Sequence, residues 1–159
     1  MIAKYNGRYY YYILNKRVSN IITEQKSKAG DDFIYEDGVY YKKIEFESLE
    51  EVFDIKYIVF YDSKISGVSL EWEISNNYKE TDGDSVLIRF SNGILPGWSV
   101  EENNVCIKYV SANDIMGAKE VRIYRRKNGQ TLDKPTTEEK LIDKRDLIAI
   151  RASFCRENL

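Results

Sequence analysis

Glu71 and Glu73 stand two residues apart in a stretch, 68–74, that alternates between apolar Val68, Leu70, Trp72 and Ile74 and polar Ser69, Glu71 and Glu73. Such alternation predicts a strand with both carboxylates on one face. Strand geometry puts them about 7 Å apart. That separation suits the acid–base pair of an inverting glycosidase, in which one carboxyl protonates the leaving group and the other activates water. Any alternating strand with two Glu has the same spacing, so a solvated strand face is the plainer account. A contact with a partner protein is the functional one.

Other chemistry is narrowed by what is missing. The chain contains no histidine, which excludes Ser-His-Asp and Cys-His nucleophile systems and the usual zinc sites. Catalysis would have to run on carboxylates, Lys, Tyr or a carboxylate-held Mg²⁺ or Ca²⁺. Asp82-Gly83-Asp84-Ser85 resembles the start of a calcium loop, but Gly93 stands where the twelfth-position carboxylate belongs. A plain turn explains it better. Cys106 and Cys155 form no CxxC pair and read as small packing residues in a reducing compartment. No phosphate loop, dinucleotide fingerprint, kinase motif or nucleophile elbow is present. The expectation is a non-enzyme without metal or cofactor.

Aromatic residues offer contact chemistry instead. Tyr9-Tyr10-Tyr11-Tyr12, near Arg8, Lys16 and Arg17, could stack nucleobases, and Tyr124-Arg125-Arg126-Lys127 is a second basic-aromatic stretch. A half-buried strand with Tyr on both faces accounts for the first run without nucleic acid. Trp98 follows the Pro96-Gly97 turn and suits either an interface anchor or a plug at one end of a sheet.

The elements that would position these residues read mostly as strands, at 8–14, 17–23, 33–35, 39–46, 56–61, 68–74, 85–90, 105–110 and 120–126. Asp37-Gly38 is the strongest hairpin signal, and Asn128-Gly129 ends another strand. Ser48-Leu49-Glu50-Glu51 matches a capping box and predicts a helical turn. Ser111 would cap a short helix over 112–118. Thr136-Thr137-Glu138-Glu139, after Pro135, predicts a helix, followed by a last strand through Ile148, Ile150, Ala152 and Phe154. The expected fold is α+β but mainly β: an antiparallel, meander-like sheet, as a sandwich or partial barrel, with one or two short helices. At 159 residues it is read as a single domain over 1–159. The N-terminal residues lack a signal-peptide core and no apolar run could span a bilayer, so a cytoplasmic protein is expected, monomeric or weakly dimeric.

Charge is segregated along the chain. Residues 31–102 carry seventeen Asp or Glu against six Lys or Arg, while both flanks are net basic and bring the total to only −2. If the middle strands adjoin, Glu71, Glu73, Glu80, Asp82, Asp84, Glu101 and Glu102 would share one face, with Tyr78 and Trp98 as aromatic anchors. That face would repel a phosphate backbone and attract a basic protein. In composition, the acidic, Tyr-rich chain without catalytic signatures is similar to small immunity proteins and phage-borne inhibitors. That likeness implies an inhibitory binding protein, an antitoxin in the broad sense, that covers a basic toxin, nuclease or other effector. Two rivals stand beside it: a carbohydrate or small-ligand module, with hydrolysis at Glu71 and Glu73, and a nucleic-acid binder using the basic ends.

Overall fold

A computed structural model describes residues 1–15, 18–62, 68–70, 85–143 and 146. In chain order its strands are β1 (Ile2–Tyr5), β2 (Arg8–Asn15), β3 (Val18–Thr23), β4 (Ile34–Glu36), β5 (Val39–Lys43), β6 (Glu51–Phe60), β7 (Ser69–Leu70), β8 (Ser85–Phe90), β9 (Ser99–Val100), β10 (Cys106–Ser111), β11 (Gly117–Lys127) and β12 (Gln130–Ile142). The fold is mainly β, its strand pairs are antiparallel and no barrel closes. The chain groups into two compact units, one containing Met1–Ile55 and Arg122–Glu138, the other Lys56–Val121 and Glu139–Ile148. The unit boundaries fall inside β6, β11 and β12.

In the first unit the strands run β4-β5-β3-β2-β1-β6. Three tight turns carry positive φ: Asn6-Gly7, Asp37-Gly38 and Asn128-Gly129. Two successive left-handed residues give the turn whose twist matches paired antiparallel strands. Register then decides which side chains are buried. Val52, Ala3 and Tyr10 align across β6, β1 and β2, and Tyr12 aligns with Ile21 on β3. These residues, with Ile44 and Leu49, form a buried cluster against which Tyr5, Phe33 and Phe46 pack. The alternate positions lie on the opposite face, where Phe53, Ile2, Tyr11, Ile22, Tyr41 and Ile34 align across all six strands. The Tyr9–Tyr12 run is therefore a strand with Tyr on both faces. Tyr10 and Tyr12 are buried, while Tyr9 on the other face is exposed.

In the second unit β7, β8, β10 and β9 follow one another in that order, and β6 pairs with β7 through Ile58 and Ser69. Its buried residues include Tyr57, Val59, Val68, Ile88, Cys106, Ile115 and Ala118. Tyr57 donates to the buried Glu120 carboxylate at 3.0 Å. Cys106 is a free thiol with no exposure, as expected of a packing residue. Cys155 lies outside the described residues.

The helix expectations need correction. Ser48-Leu49-Glu50-Glu51 opens no helix. A 3₁₀ turn spans Phe46–Ser48, Leu49 is extended and β6 begins at Glu51. The Ser48 hydroxyl donates backward to Glu45 O at 2.6 Å instead of capping forward. Leu49, Val52 and Phe53 are all buried, and burying them in sheet register outweighs a local cap of about 1 kcal/mol. Thr136-Thr137-Glu138-Glu139 lies within β12. The Asn128-Gly129 turn folds this segment back on β11, and Glu138 and Glu139 form ion pairs with Lys127 and Lys119. Of 112–118, only Ala112–Asp114 is a 3₁₀ turn, with Ser111 Oγ accepting from Asn113 N–H at 3.1 Å. Gly117 already belongs to β11. The last strand expected through Ile148 and Phe154 lies outside the described residues.

Candidate binding surface

Of the residues expected to contact a partner, Glu71, Glu73, Tyr78, Glu80, Asp82 and Asp84 lie outside the described residues. Trp98, Glu101 and Glu102 are described, and all three flank β9 in the second unit. Trp98 is half-buried, its ring edge-on to Tyr61 at 6.2 Å. Lys108 donates to the Tyr61 hydroxyl at 3.3 Å and lies 5.6 Å from that ring's centre. Glu101 forms an ion pair with Arg89 at 2.8 Å. Glu102 begins a short 3₁₀ turn, Glu102–Asn104, which includes two left-handed residues, Asn103 and Asn104. Within the described part of the expected acidic face, Glu101 is thus neutralised by Arg89.

Pairing of this kind recurs through the acidic middle. Lys4 lies 3.6 Å from Glu50 and 3.7 Å from Glu51. Glu51 is the main reason the Lys4 ammonium is held above its usual pKa. Asp54 pairs with Arg125 at 3.2 Å and lies 3.9 Å from the N-terminal amine. The basic flanks and the acidic middle, separate in sequence, meet across neighbouring strands. The same pairing uses up the second basic-aromatic stretch. Arg125 and Lys127 are in ion pairs. Arg126 is buried, and its guanidinium donates to the carbonyls of Leu49 and Glu47 and to Thr131 Oγ1.

Exposed Glu45 and Glu47 form no ion pair among the described residues, but the densest group of such acids is at the β4–β5 hairpin. Asp31, Asp32, Ile34, Tyr35, Glu36 and Asp37 are all exposed, with Phe33 half-buried between them. Of the four acids, Asp32 alone forms an ion pair among the described residues, with Lys42. That hydrogen bond lowers the Asp32 carboxyl's pKa and raises that of the Lys42 ammonium. Glu36 accepts from the Tyr41 hydroxyl at 3.1 Å, which raises the phenol's pKa. Asp31, Glu36 and Asp37 form no ion pair among the described residues. Ile34 and Tyr35 are 58% and 62% exposed, too open for core positions. Tyr35 packs on Tyr40 with ring centres 4.7 Å apart.

The backbone of β4 is open as well. β4 closes one end of the strand order, with β5 as its neighbour. Glu36 faces Val39 across the two-residue turn, Tyr35 faces Tyr40 and Ile34 faces Tyr41. In such a hairpin the residues flanking the turn exchange both backbone bonds, and the next pair exchanges none. The N–H and C=O of Tyr35 therefore point away from β5. Sequence reading took 33–35 as one more strand. An aromatic-aliphatic strand between Asp-Asp and Glu-Asp is the sequence signal for this surface.

Among the described residues no group of three His, Cys, Asp or Glu could hold a metal ion. No helix among them is long and apolar enough to cross a membrane. No protein-family model, curated protein or solved structure matches the chain.

Proposed function

We propose that this chain is a non-enzymatic, inhibitory binding protein that covers a basic protein target, a toxin domain, nuclease or other effector. The observation that carries the reading is the β4–β5 hairpin, where exposed Asp31, Glu36 and Asp37 surround exposed Ile34 and Tyr35. Apolar contact area inside a charged rim is the usual make-up of a protein interface. Unneutralised charge of one sign speeds encounter with an oppositely charged partner and orients it. Elsewhere in the described middle Glu50, Glu51, Asp54 and Glu101 are in ion pairs. Glu45 and Glu47 form no ion pair among the described residues, but they flank Phe46, which packs on the core. This hairpin is therefore the acidic surface that also offers exposed apolar side chains. A cytoplasmic target and a 1:1 complex go with the reading.

The test is a native partner isolated with the untagged protein, identified by mass and titrated at two salt concentrations. A basic partner is expected. Neutralising Asp31→Asn, Glu36→Gln and Asp37→Asn together should slow association about tenfold at low salt, with the gap closing at high salt. An acidic partner, or association indifferent to salt, would overturn the reading. The carbohydrate or small-ligand alternative retains one supporting feature, the half-buried Trp98 against Tyr61. A glycan array read with Trp98→Ala as control decides it.

A further inference from the structure

We infer that the occupant of the hairpin is an extended, basic segment that adds to β4 as a further strand. The inference rests on the basic-partner reading above and names how the partner is held. Three features converge on this edge. Among the described residues no strand neighbours the outward N–H and C=O of Tyr35, and such groups are what strand addition uses for affinity. Ile34 and Tyr35 point to opposite faces of the sheet and are both exposed, so an added strand could rest one side chain on each. Asp31, Glu36 and Asp37 place negative charge at both ends of β4 with no ion-pair partner among the described residues. Exposed edges are ordinarily protected by Lys, Pro or a bulge, and the stretch 31–37 has none of these. Its charge selects instead. A second copy of β4 would bring acids against acids, whereas a strand with Lys or Arg beside the two acidic ends would be attracted.

The probe is a synthetic seven-residue peptide of alternating Lys and Val, capped at both ends, with a Glu-Val counterpart. Two further Lys-Val peptides are N-methylated on one or the other alternate set of residues. Binding is followed by amide spectra and hydrogen exchange of the intact chain. The Lys-Val peptide should bind and slow exchange of the Tyr35 amide at least tenfold, and the Glu-Val peptide should not bind. One methylated set should abolish binding and the other leave it intact, because only one edge of the added strand faces β4. Tyr35→Pro should abolish binding too, since it deletes the outward N–H and no bond to β5. Unchanged Glu36 and Val39 amide shifts in that variant would confirm that the hairpin is retained. Equal binding by both methylated peptides, or an unprotected Tyr35 amide, would overturn strand addition while leaving a basic partner in place. No binding of the Lys-Val peptide at low salt would also overturn it, and the titration of the native partner decides the broader reading independently.

Discussion

Three strands, β4, β9 and β12, pair on one side only among the described residues, and β4 and β12 are built in opposite ways. β4 is three residues long, acidic at both ends and exposed throughout, with its apolar side chains in solvent. β12 is thirteen residues long and also nearly all exposed, but it is defended. It carries Pro135, which cannot donate to a further strand, and alternates Asp133, Lys134, Glu138, Glu139 and Lys140. Two of those acids are already tied to lysines of β11. Mixed, internally paired charge gives a passing strand no net attraction, whereas unpaired charge of one sign does. A long edge is a liability unless neutralised; a short one can be left open and made selective.

The two hairpins are also anchored differently, and the largest predicted effect tests this. Beside the Asn128-Gly129 turn, Arg126 clamps the Phe46–Ser48 turn to β12 through Glu47 O, Leu49 O and Thr131 Oγ1. Arg126→Ala would leave two carbonyls without their charged donor and should cost about 3 kcal/mol in denaturant unfolding. Arg126→Lys should recover only part of this, because an ammonium cannot span the same fork of acceptors. Among the described residues β4–β5 is fastened by Lys42, which donates to the Tyr5 hydroxyl and to Asp32, and by no buried guanidinium. If Glu36→Gln, which weakens the Tyr41 hydrogen bond, proved as costly as Arg126→Ala, the contrast would collapse.

A smaller effect concerns the turn glycines. Gly38 and Gly129 have φ of +87° and +73°, and a Cβ at either would meet nothing within 4 Å. Alanine therefore costs backbone strain alone, about 1 kcal/mol. Gly129 N–H also donates to Glu50 O at 2.8 Å, tying its turn to the rest of the unit. Gly129→Ala should lower the global melting point. Gly38→Ala should relax by local opening, seen as faster exchange at Glu36 and Val39 with a smaller melting shift. Equal melting shifts would mean that the acidic hairpin is coupled as tightly as the anchored one.

The smallest effect is in the pH dependence. Lys42 lowers the pKa of the Asp32 carboxyl, and Lys127 lowers that of Glu138. A carboxyl depressed on folding contributes stability above its unfolded pKa, about 4. That contribution is lost as pH falls through the lower, folded value. Asp32→Asn and Glu138→Gln should each flatten the loss of stability below about pH 4, and neither should change its slope near pH 7. Urea titrations between these limits measure both. Two exposed pairs predict a modest change, and an unaltered acid limb would show that neither pair persists in solution.

Much of the strand layout was legible in the sequence because it depends on neighbours two residues apart. The strand read at 85–90 is β8 as observed, and Asp37-Gly38 and Asn128-Gly129 both turn hairpins. Asn6-Gly7 carries the same signal between β1 and β2, but the four residues of β1 are too few for a periodic pattern. The two capping boxes misled for one shared reason. Ser-x-x-Glu and Thr-x-x-Glu report a local preference of about 1 kcal/mol, and strand pairing plus burial of Leu49, Val52 and Phe53 exceeds it. The candidate site was less legible. Counting charge along 31–102 gave its sign but not its location, since Lys4 and Arg125 reach their acids from distant parts of the chain.

The sequence by itself determined the inventory: no imidazole, a surplus of strand formers, glycines at the turns and a negative middle between positive ends. Those properties are local or additive, so they can be read without a fold. Only the tertiary structure decided which charges remain available, because an ion pair depends on register across strands rather than on distance along the chain. Within the described residues it answers Glu101 with Arg89 and leaves the Tyr35 backbone facing outward between Asp31 and Glu36, which form no ion pair.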